Sequence, residues 1–273
     1  MHSIHSDGTY SPAKLVQAAK SGHLKTIALT DHDNVDGLHE ALSEGAKEEL
    51  FVIPGIEFSC ETKGAEIHIL GYFINYKEPS LNALLKDMKH SRHERVLKMV
   101  EKLSKIGVDI YPERVFAIAG DGAPGRLHVA KALLEEKKIN YISEAFDKYI
   151  GFHGPAYVSH YKLSPEDAVK LIKKLNGLAV FAHPAVSRCD QIIASLTAAG
   201  LDGIEVFYPS HNPDQIKNYL NLCEKNNLFP TGGSDFHGEG VGRDYKLGEF
   251  YIDDKYVEKM CLSAGRRGEA AKV

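Results

Sequence analysis

Two histidines and an aspartate stand within the first seven residues, MHSIHSDGTYSP, and similar side chains recur along the chain. Asp31, His32 and Asp33 follow the run TIALT; Glu57 closes FVIPGIE; His68 lies inside EIHILGY; His183 follows AVFA; Asp235 and His237 follow a Gly-Gly pair. Taken singly, these residues have ordinary explanations. A histidine on an alternating strand packs or hydrogen-bonds, and an acidic turn after a strand caps a helix. Together they put ligand-type residues at five successive strand ends. Imidazole nitrogens mixed with carboxylate oxygens, without thiolates, suit zinc, manganese or iron. A carboxylate among neutral histidines can bridge two cations, and metals about 3.5–4 Å apart can activate water and neutralise a phosphoryl oxygen together.

These residues need a frame that brings strand ends together. Ser11-Pro12 opens a helix over PAKLVQAAKS, closed by Gly22, and TIALTDHD follows as strand and loop. FVIPGIEFSC and AEIHILGYFI read as paired strands with a turn at Lys63-Gly64. SPEDAVKLIKKLNG is a capped helix, GLAVFAHP a strand, Cys189 to Ala199 helical, DGIEVF a strand, PDQIKNYLNLCEKNN a helix, and FPTGGSDFHG a strand running into a Gly-rich loop. The alternation predicts a largely parallel α/β architecture with its site at the carboxyl ends of the strands. Between about 80 and 155 the period is helical and strands are lacking, so the expected division is a barrel of residues 1–79 and 156–273 with a helical insertion at 80–155. The tail GRRGEAAKV reads as frayed.

Composition narrows the function classes. The chain has 273 residues, is 43% hydrophobic and 26% charged, and carries 33 basic against 37 acidic residues, a net charge of −4. That balance offers no global positive field for long nucleic acid, so a nucleotide partner is expected to be small or held locally. No apolar run reaches the ~18 residues of a membrane span, and MHSIHS lacks a signal-peptide core, so the expected location is cytoplasmic. Cys60, Cys189, Cys223 and Cys261 are widely spaced and suggest neither a zinc site nor a disulfide framework.

HSIHSDGTYSP, TDHDNVDG, GIEFSC, EIHILGY, FAHP and GGSDFHG resemble the successive motifs of the PHP (polymerase and histidinol phosphatase) superfamily. GRLHVAKALLE and KYIGFHGPAYV are similar to the branch that acts on nucleoside 3′,5′-bisphosphates and, in relatives of the ribonuclease AM type, on 5′ ends of short RNA. The resemblance implies a distorted (β/α)7 barrel with two or three divalent cations (Mn, Zn or Fe). It implies that Glu57 bridges two metals, one shared with His2 and Asp235 and the other with His68 and His183, while Asp7, His32 and His237 hold a third. Glu57, His183 and Asp235 are the expected catalytic residues. The family's first motif is normally His-any-His, and the spacing from SDG makes His2 its second histidine, so the first would fall just before Met1. The expectation is a chain start set too late, with loss of that ligand as the alternative.

On the substrate side, Arg92 and Arg95 stand three apart on one helical face, and Arg126 and His128 open a helix after APG. A solvated basic face explains the first pair equally well. His211 in YPSHNP is a weaker candidate; His5 reads as a loop residue, and His39, His90, His93 and His160 as solvated. The expected activity is attack of metal-bound hydroxide on a phosphomonoester of a small nucleotide, or on the 5′ end of a short RNA. A histidinol-phosphatase role and a non-catalytic metal-binding module are the alternatives.

Overall fold

Helix starts follow their caps. The Ser11 and Ser164 side chains accept from the backbone amides of Lys14 and Asp167, and Asn212 and Gln215 exchange a reciprocal pair, each ahead of a proline at the first helical position. In this computed structural model, which describes residues 1–62, 65–120, 122–159, 163–239 and 247–265, the first elements are α1 (Pro12–Ser21), β1 (Thr26–Leu29), α2 (Leu38–Lys47), β2 (Phe51–Thr62) and β3 (Ala65–Tyr72). Four helices follow without an intervening strand: α3 (Pro79–Lys105), α4 (Pro112–Ala119), α5 (Arg126–Glu135) and α6 (Ile142–Ala145), the last continued by a π-helical turn, Phe146–Ile150. Then come α7 (Pro165–Lys174), β4 (Leu178–Phe181), α8 (Pro184–Ser187), α9 (Ile193–Ala199), β5 (Gly203–Phe207), α10 (Pro213–Lys225), β6 (Phe229–Gly232) and α11 (Asp254–Ser263).

The six described strands form one curled sheet in the order β1-β2-β3-β4-β5-β6. β1–β2, β4–β5 and β5–β6 are parallel, whereas β3 runs antiparallel to both neighbours. The expected largely parallel sheet is observed, and its expected pair β2 and β3, two residues apart in the sequence, is antiparallel, since a parallel pair needs a crossover of about a dozen or more residues. The expected turn residues Lys63 and Gly64 lie outside the described residues, as do His160 and all but the first residue of the GRRGEAAKV tail.

The N-terminal residues lie across the gap between the first and last strands. His2 N–H donates to Phe236 O at 2.8 Å, Thr30 N–H to Met1 O at 3.0 Å, and Thr9 N–H to His237 O at 2.8 Å. Backbone groups at the sheet's two edges thereby find partners, as a barrel requires. No helix among the described residues is long and apolar enough to cross a membrane.

Two apolar clusters matter for the site. The larger packs α1, α2, α7 and α10 against the sheet around Phe58, Ile69 and Phe181. A second lies wholly within the strand-free stretch, around Met99, Leu103, Val129 and Leu133. Helix α3 belongs to both: Leu81, Leu85 and Met88 enter the first cluster, Val96, Met99 and Leu103 the second. Between the two sets sit Arg92 and Arg95, 8% and 3% exposed, which excludes the solvated-face reading of that pair. All four cysteines are buried.

Candidate metal centre

Each ligand-type residue is delivered to one rim of the sheet. Strand β2 runs past the end of β1, so Glu57 lies within β2, not at its end, and an isolated parallel bridge sets it level with His32. His68 lies within β3, opposite Ser59, and reaches the same rim because β3 runs the other way. His183 and Asp235 follow β4 and β6 directly.

Glu57 is the hub. His2 Nε2 stands 3.1 Å from its Oε2, and His68 Nδ1 and His183 Nε2 stand 2.6 and 3.3 Å from its Oε1. His2 Nε2 is also 3.1 Å from Asp235 Oδ1, and His237 Nε2 is 3.4 Å from Asp7 Oδ1. Among the described residues three groups have donor atoms all within 4.8 Å of one another: His2, Asp7, His32 and His237; His32, Glu57 and His68; His2, Glu57 and Asp235. The third is the grouping that the family resemblance implies, and the first contains the implied Asp7–His32–His237 set. The second pairs His68 with His32 in place of His183, which touches Glu57 without joining a group.

These residues fit divalent cations. The buried Nδ1 atoms of His32 and His183 have no hydrogen-bond partner. Burial holds His32 down to about 4, leaving a neutral imidazole with a lone pair to offer. Burial opposes charge on His2, but hydrogen bonds to Asp235 and Glu57 prevail and raise it to about 10. Burial likewise opposes charge on His183, and its bond to Glu57 raises it to about 9. Burial alone would raise Glu57; the imidazoles of His32 and His68 hold it well below the usual carboxylate range.

Surrounding groups fix the orientation of the donors. Asp31 accepts from Ser3 N–H, Ser3 Oγ–H and Ser6 Oγ–H, each at 2.6 Å, and so pins the loop that carries His2 and Asp7. His237 Nδ1 lies 2.8 Å from the Asp235 carbonyl, which as acceptor leaves Nε2 as the free lone pair. Glu205 accepts from His183 N–H at 2.9 Å, and Tyr208 O–H donates to Asp235 Oδ2 at 2.9 Å. Burial raises Glu205 to about 7. Asp33, His183 and Asp235 adopt φ of 48°, 28° and 50°, a left-handed backbone that costs of order 1–3 kcal/mol at a non-glycine residue and collects at functional sites. Sequence reasoning passed over Glu205 and Tyr208, and it noted Asp31 only among the ligand-type acids that follow TIALT. Asp31 alone left a signal, as the first acid of TDHD.

A cavity of about 160 Å³ is lined by Asp7, His32 and His68 together with Arg95, Arg126 and His128. Arg92 also lines it, but its Nη2 is taken by Asp33 and by Ser59 Oγ at 3.0 Å. Arg95 donates from Nε to Val158 O at 2.6 Å, and its Nη2 is buried without a partner. Burial and the neighbouring Arg126 lower Arg95 to about 10. Arg126 is paired with Glu66, and His128 Nδ1 accepts from Gly125 N–H at 3.0 Å, closing the first turn of α5. His211 lies apart, with Nδ1 2.9 Å from Val206 O and its ring between Tyr208 and Tyr219. His39, His90 and His93 are exposed, as expected, with His93 stacked on Phe116; His5 sits in the N-terminal loop.

A curled mixed sheet with imidazoles and carboxylates gathered around one glutamate at its rim is the architecture of a metal-dependent hydrolase. The chain belongs to the PHP domain family, whose model matches residues 1–229, and it is a phosphoesterase of that family. It is 33% identical over 255 residues to a 3′,5′-nucleoside bisphosphate phosphatase of Chromobacterium violaceum, covering 88% of this chain and 87% of that one. It is 31% identical over 241 residues to a 5′-3′ exoribonuclease of Haemophilus influenzae, covering 86% and 88%. Among solved structures, a Bifidobacterium adolescentis protein predicted to be a metal-dependent phosphoesterase superposes with a TM-score of 0.86 at 28% identity, over 96% of this chain and 93% of that one. A Chromobacterium violaceum amidohydrolase with bound sulfate and no metal gives 0.83 at 31% identity, over 92% and 89%.

Proposed function

We propose that the chain hydrolyses a phosphomonoester of a small nucleotide, as a 3′-phosphatase of nucleoside 3′,5′-bisphosphates, or acts on the 5′ ends of short RNA. One observation carries this reading: a single cavity is lined by the imidazoles of His32 and His68 and the carboxylate of Asp7 together with the guanidiniums of Arg92, Arg95 and Arg126. A substrate with two phosphates, one at the metal ligands and one at the guanidiniums, matches that lining. The names of the relatives at about 30% identity support the same substrate class.

His2, Asp7, His32, Glu57, His68, His183, Asp235 and His237 are the proposed metal ligands, with Glu57, His183 and Asp235 closest to the chemistry. Nitrogen and oxygen donors without thiolates suit two or three cations of manganese, zinc or iron. Bound there, such cations would supply an activated water and screen charge on the phosphoryl group. Arg95 offers its unpartnered Nη2 to a second phosphate, and Arg126 and His128 flank it; Arg92 holds the wall through Asp33. In this reading residues 80–155 form a helical insertion capping a barrel of residues 1–79 and 156–273. Cysteines too widely spaced to suggest a disulfide framework suit a reducing cytoplasm, and a net charge of −4 disfavours long duplex nucleic acid.

Elemental analysis combined with phosphate release from adenosine 3′,5′-bisphosphate and from histidinol phosphate tests the proposal. Release from the bisphosphate alone is expected. The Glu57→Gln protein should lose both turnover and tightly held metal; an active, metal-loaded Glu57→Gln protein would refute the assignment.

A further inference from the structure

Among the described residues lining the cavity, Phe146 brings the one large apolar ring; the other rings there are imidazoles. It is half-buried. Part of its surface packs on the second apolar cluster, and part is left to the cavity beside Arg126. The Arg126 guanidinium lies 5.7 Å from the ring centroid, within cation–π range. A site that held phosphates alone would leave this apolar surface facing water, a cost that burial against a flat, weakly polar group would remove.

The backbone around Phe146 is shaped to present it. Helix α6 passes at this residue into the π-helical turn Phe146–Ile150, in which Gly151 N–H donates to Phe146 O at 3.0 Å. Single π turns are rare and are frequent at functional sites. The chain then doubles back over the turn. A Cβ at Gly151 would overlap Phe146 O, and one at Gly154 would overlap Tyr149 O, so both positions exclude a side chain. Ala156 N–H donates to Tyr149 O at 2.9 Å and completes the wrap. The same stretch holds the cation for the second phosphate. Arg95 Nε donates to Val158 O at 2.6 Å, its guanidinium lies 5.5 Å from the Tyr157 ring centroid, and Tyr157 O–H donates to Glu61 at 3.2 Å. Residues 146–158 therefore carry both the apolar ring and the acceptor that fixes Arg95, which accounts for the glycines of KYIGFHGPAYV.

We propose that the Phe146 ring is a stacking platform for the nucleobase of the substrate. Every base has a π face, so an aromatic platform adds affinity without choosing among bases. The Arg126 guanidinium beside it adds a cation to the stack. The platform makes the site prefer a nucleotide to a sugar bisphosphate of the same charge. The competing role for the ring is to hold Arg126 alone, which would act on every phosphorylated ligand alike.

This inference rests on the reading that the cavity takes a phosphorylated nucleotide. Its test compares adenosine 3′,5′-bisphosphate with 1,4-anhydroribitol 3,5-bisphosphate, the same sugar bisphosphate without a base, using the full chain loaded with manganese. Phe146→Leu keeps apolar bulk against the second cluster and removes the π face; Phe146→Trp keeps the π face, and thermal melting establishes that both variants fold. In the wild type the adenosine compound should have the lower KM by about 5- to 50-fold, the worth of stacking one base. In Phe146→Leu the two KM values should converge to within about twofold, chiefly through a rise for the adenosine compound, and Phe146→Trp should restore the gap. The chain has no tryptophan, so Phe146→Trp also places a single indole at the platform. Its fluorescence should be quenched by the adenosine compound and far less by the abasic one. Equal KM shifts for the two compounds in Phe146→Leu would assign the ring to Arg126 alone and overturn the proposal, as would equal quenching of Phe146→Trp by both. If neither compound releases phosphate, the substrate reading fails, and the fluorescence titration still decides the platform: selective quenching by the adenosine compound sustains it, and no quenching overturns it.

Discussion

Replacing Asp31 tests whether the N-terminal loop is organised by a single buried carboxylate. Ser3, Ser6 and Asp31 are 0%, 3% and 2% exposed, and three donors converge on this acceptor at 2.6 Å. Asp31→Ala leaves three buried donors without their acceptor, at about 1–3 kcal/mol each. The two hydroxyls can rotate towards other acceptors, so the lower end applies, and the expected loss is about 3 kcal/mol, with a fall in melting temperature of about 6–12 °C for a chain of this size. Asp31→Asn retains one acceptor oxygen and should lose about half as much. The same loop carries His2 and Asp7, so manganese affinity should fall by about 10- to 100-fold, as when an outer partner of a metal ligand is removed. Melting with and without manganese, together with a metal titration, measures both effects. If Asp31→Ala unfolds within about 0.5 kcal/mol of the wild type and binds manganese equally well, the loop is held by something else.

Other expectations follow from the same geometry. His2 and His183, raised to about 10 and about 9, are protonated at pH 7.5 because that pH lies below both values, so metal entry should expel about two protons. Calorimetry in buffers of different ionisation enthalpy reads that number, and zero release would contradict the assignment. Arg95→Gln should raise KM for adenosine 3′,5′-bisphosphate by about 10- to 100-fold with little change in kcat, the worth of a hydrogen bond to a charged group; an unchanged KM would remove Arg95 from the substrate wall. Leu103→Ala, at a fully buried position of the second cluster, should cost about 2–5 kcal/mol in urea unfolding, and a loss under about 1 kcal/mol would show that this cluster can collapse around the gap.

What could be read from the chain alone was whatever is local. Ser11-Pro12 and Ser164-Pro165 start helices where their caps imply, and the strand-free stretch from α3 onward follows its helical period. Six of the eight expected ligands reach one rim because each lies in or shortly after a strand, and a sheet brings such positions together whatever lies between them; His2 and Asp7 come to it on the N-terminal loop. Partnerships across long separations left no local trace. Arg92 and Asp33 are 59 residues apart, and neither flank of Arg92 announces a buried carboxylate. Glu205 looks like any acid in DGIEVF until β5 is set beside β4, where it meets the His183 amide. The direction of β3 was legible as well, because two residues between paired strands are too few for a parallel crossover.

The continuity of α3 restricts how the cavity can open. The helix is 27 residues long, anchored in the sheet's core at one end and in the strand-free stretch's own core at the other, with Arg92 tied to Asp33 between them. A lid that swings as a rigid body needs a hinge, and here a hinge would have to break helical hydrogen bonds or strip a buried guanidinium of its partner. The spacing between the metal ligands and the guanidiniums is therefore built in as a fixed gauge. Ligands are measured against a set distance, and adaptation falls to side chains such as Arg126.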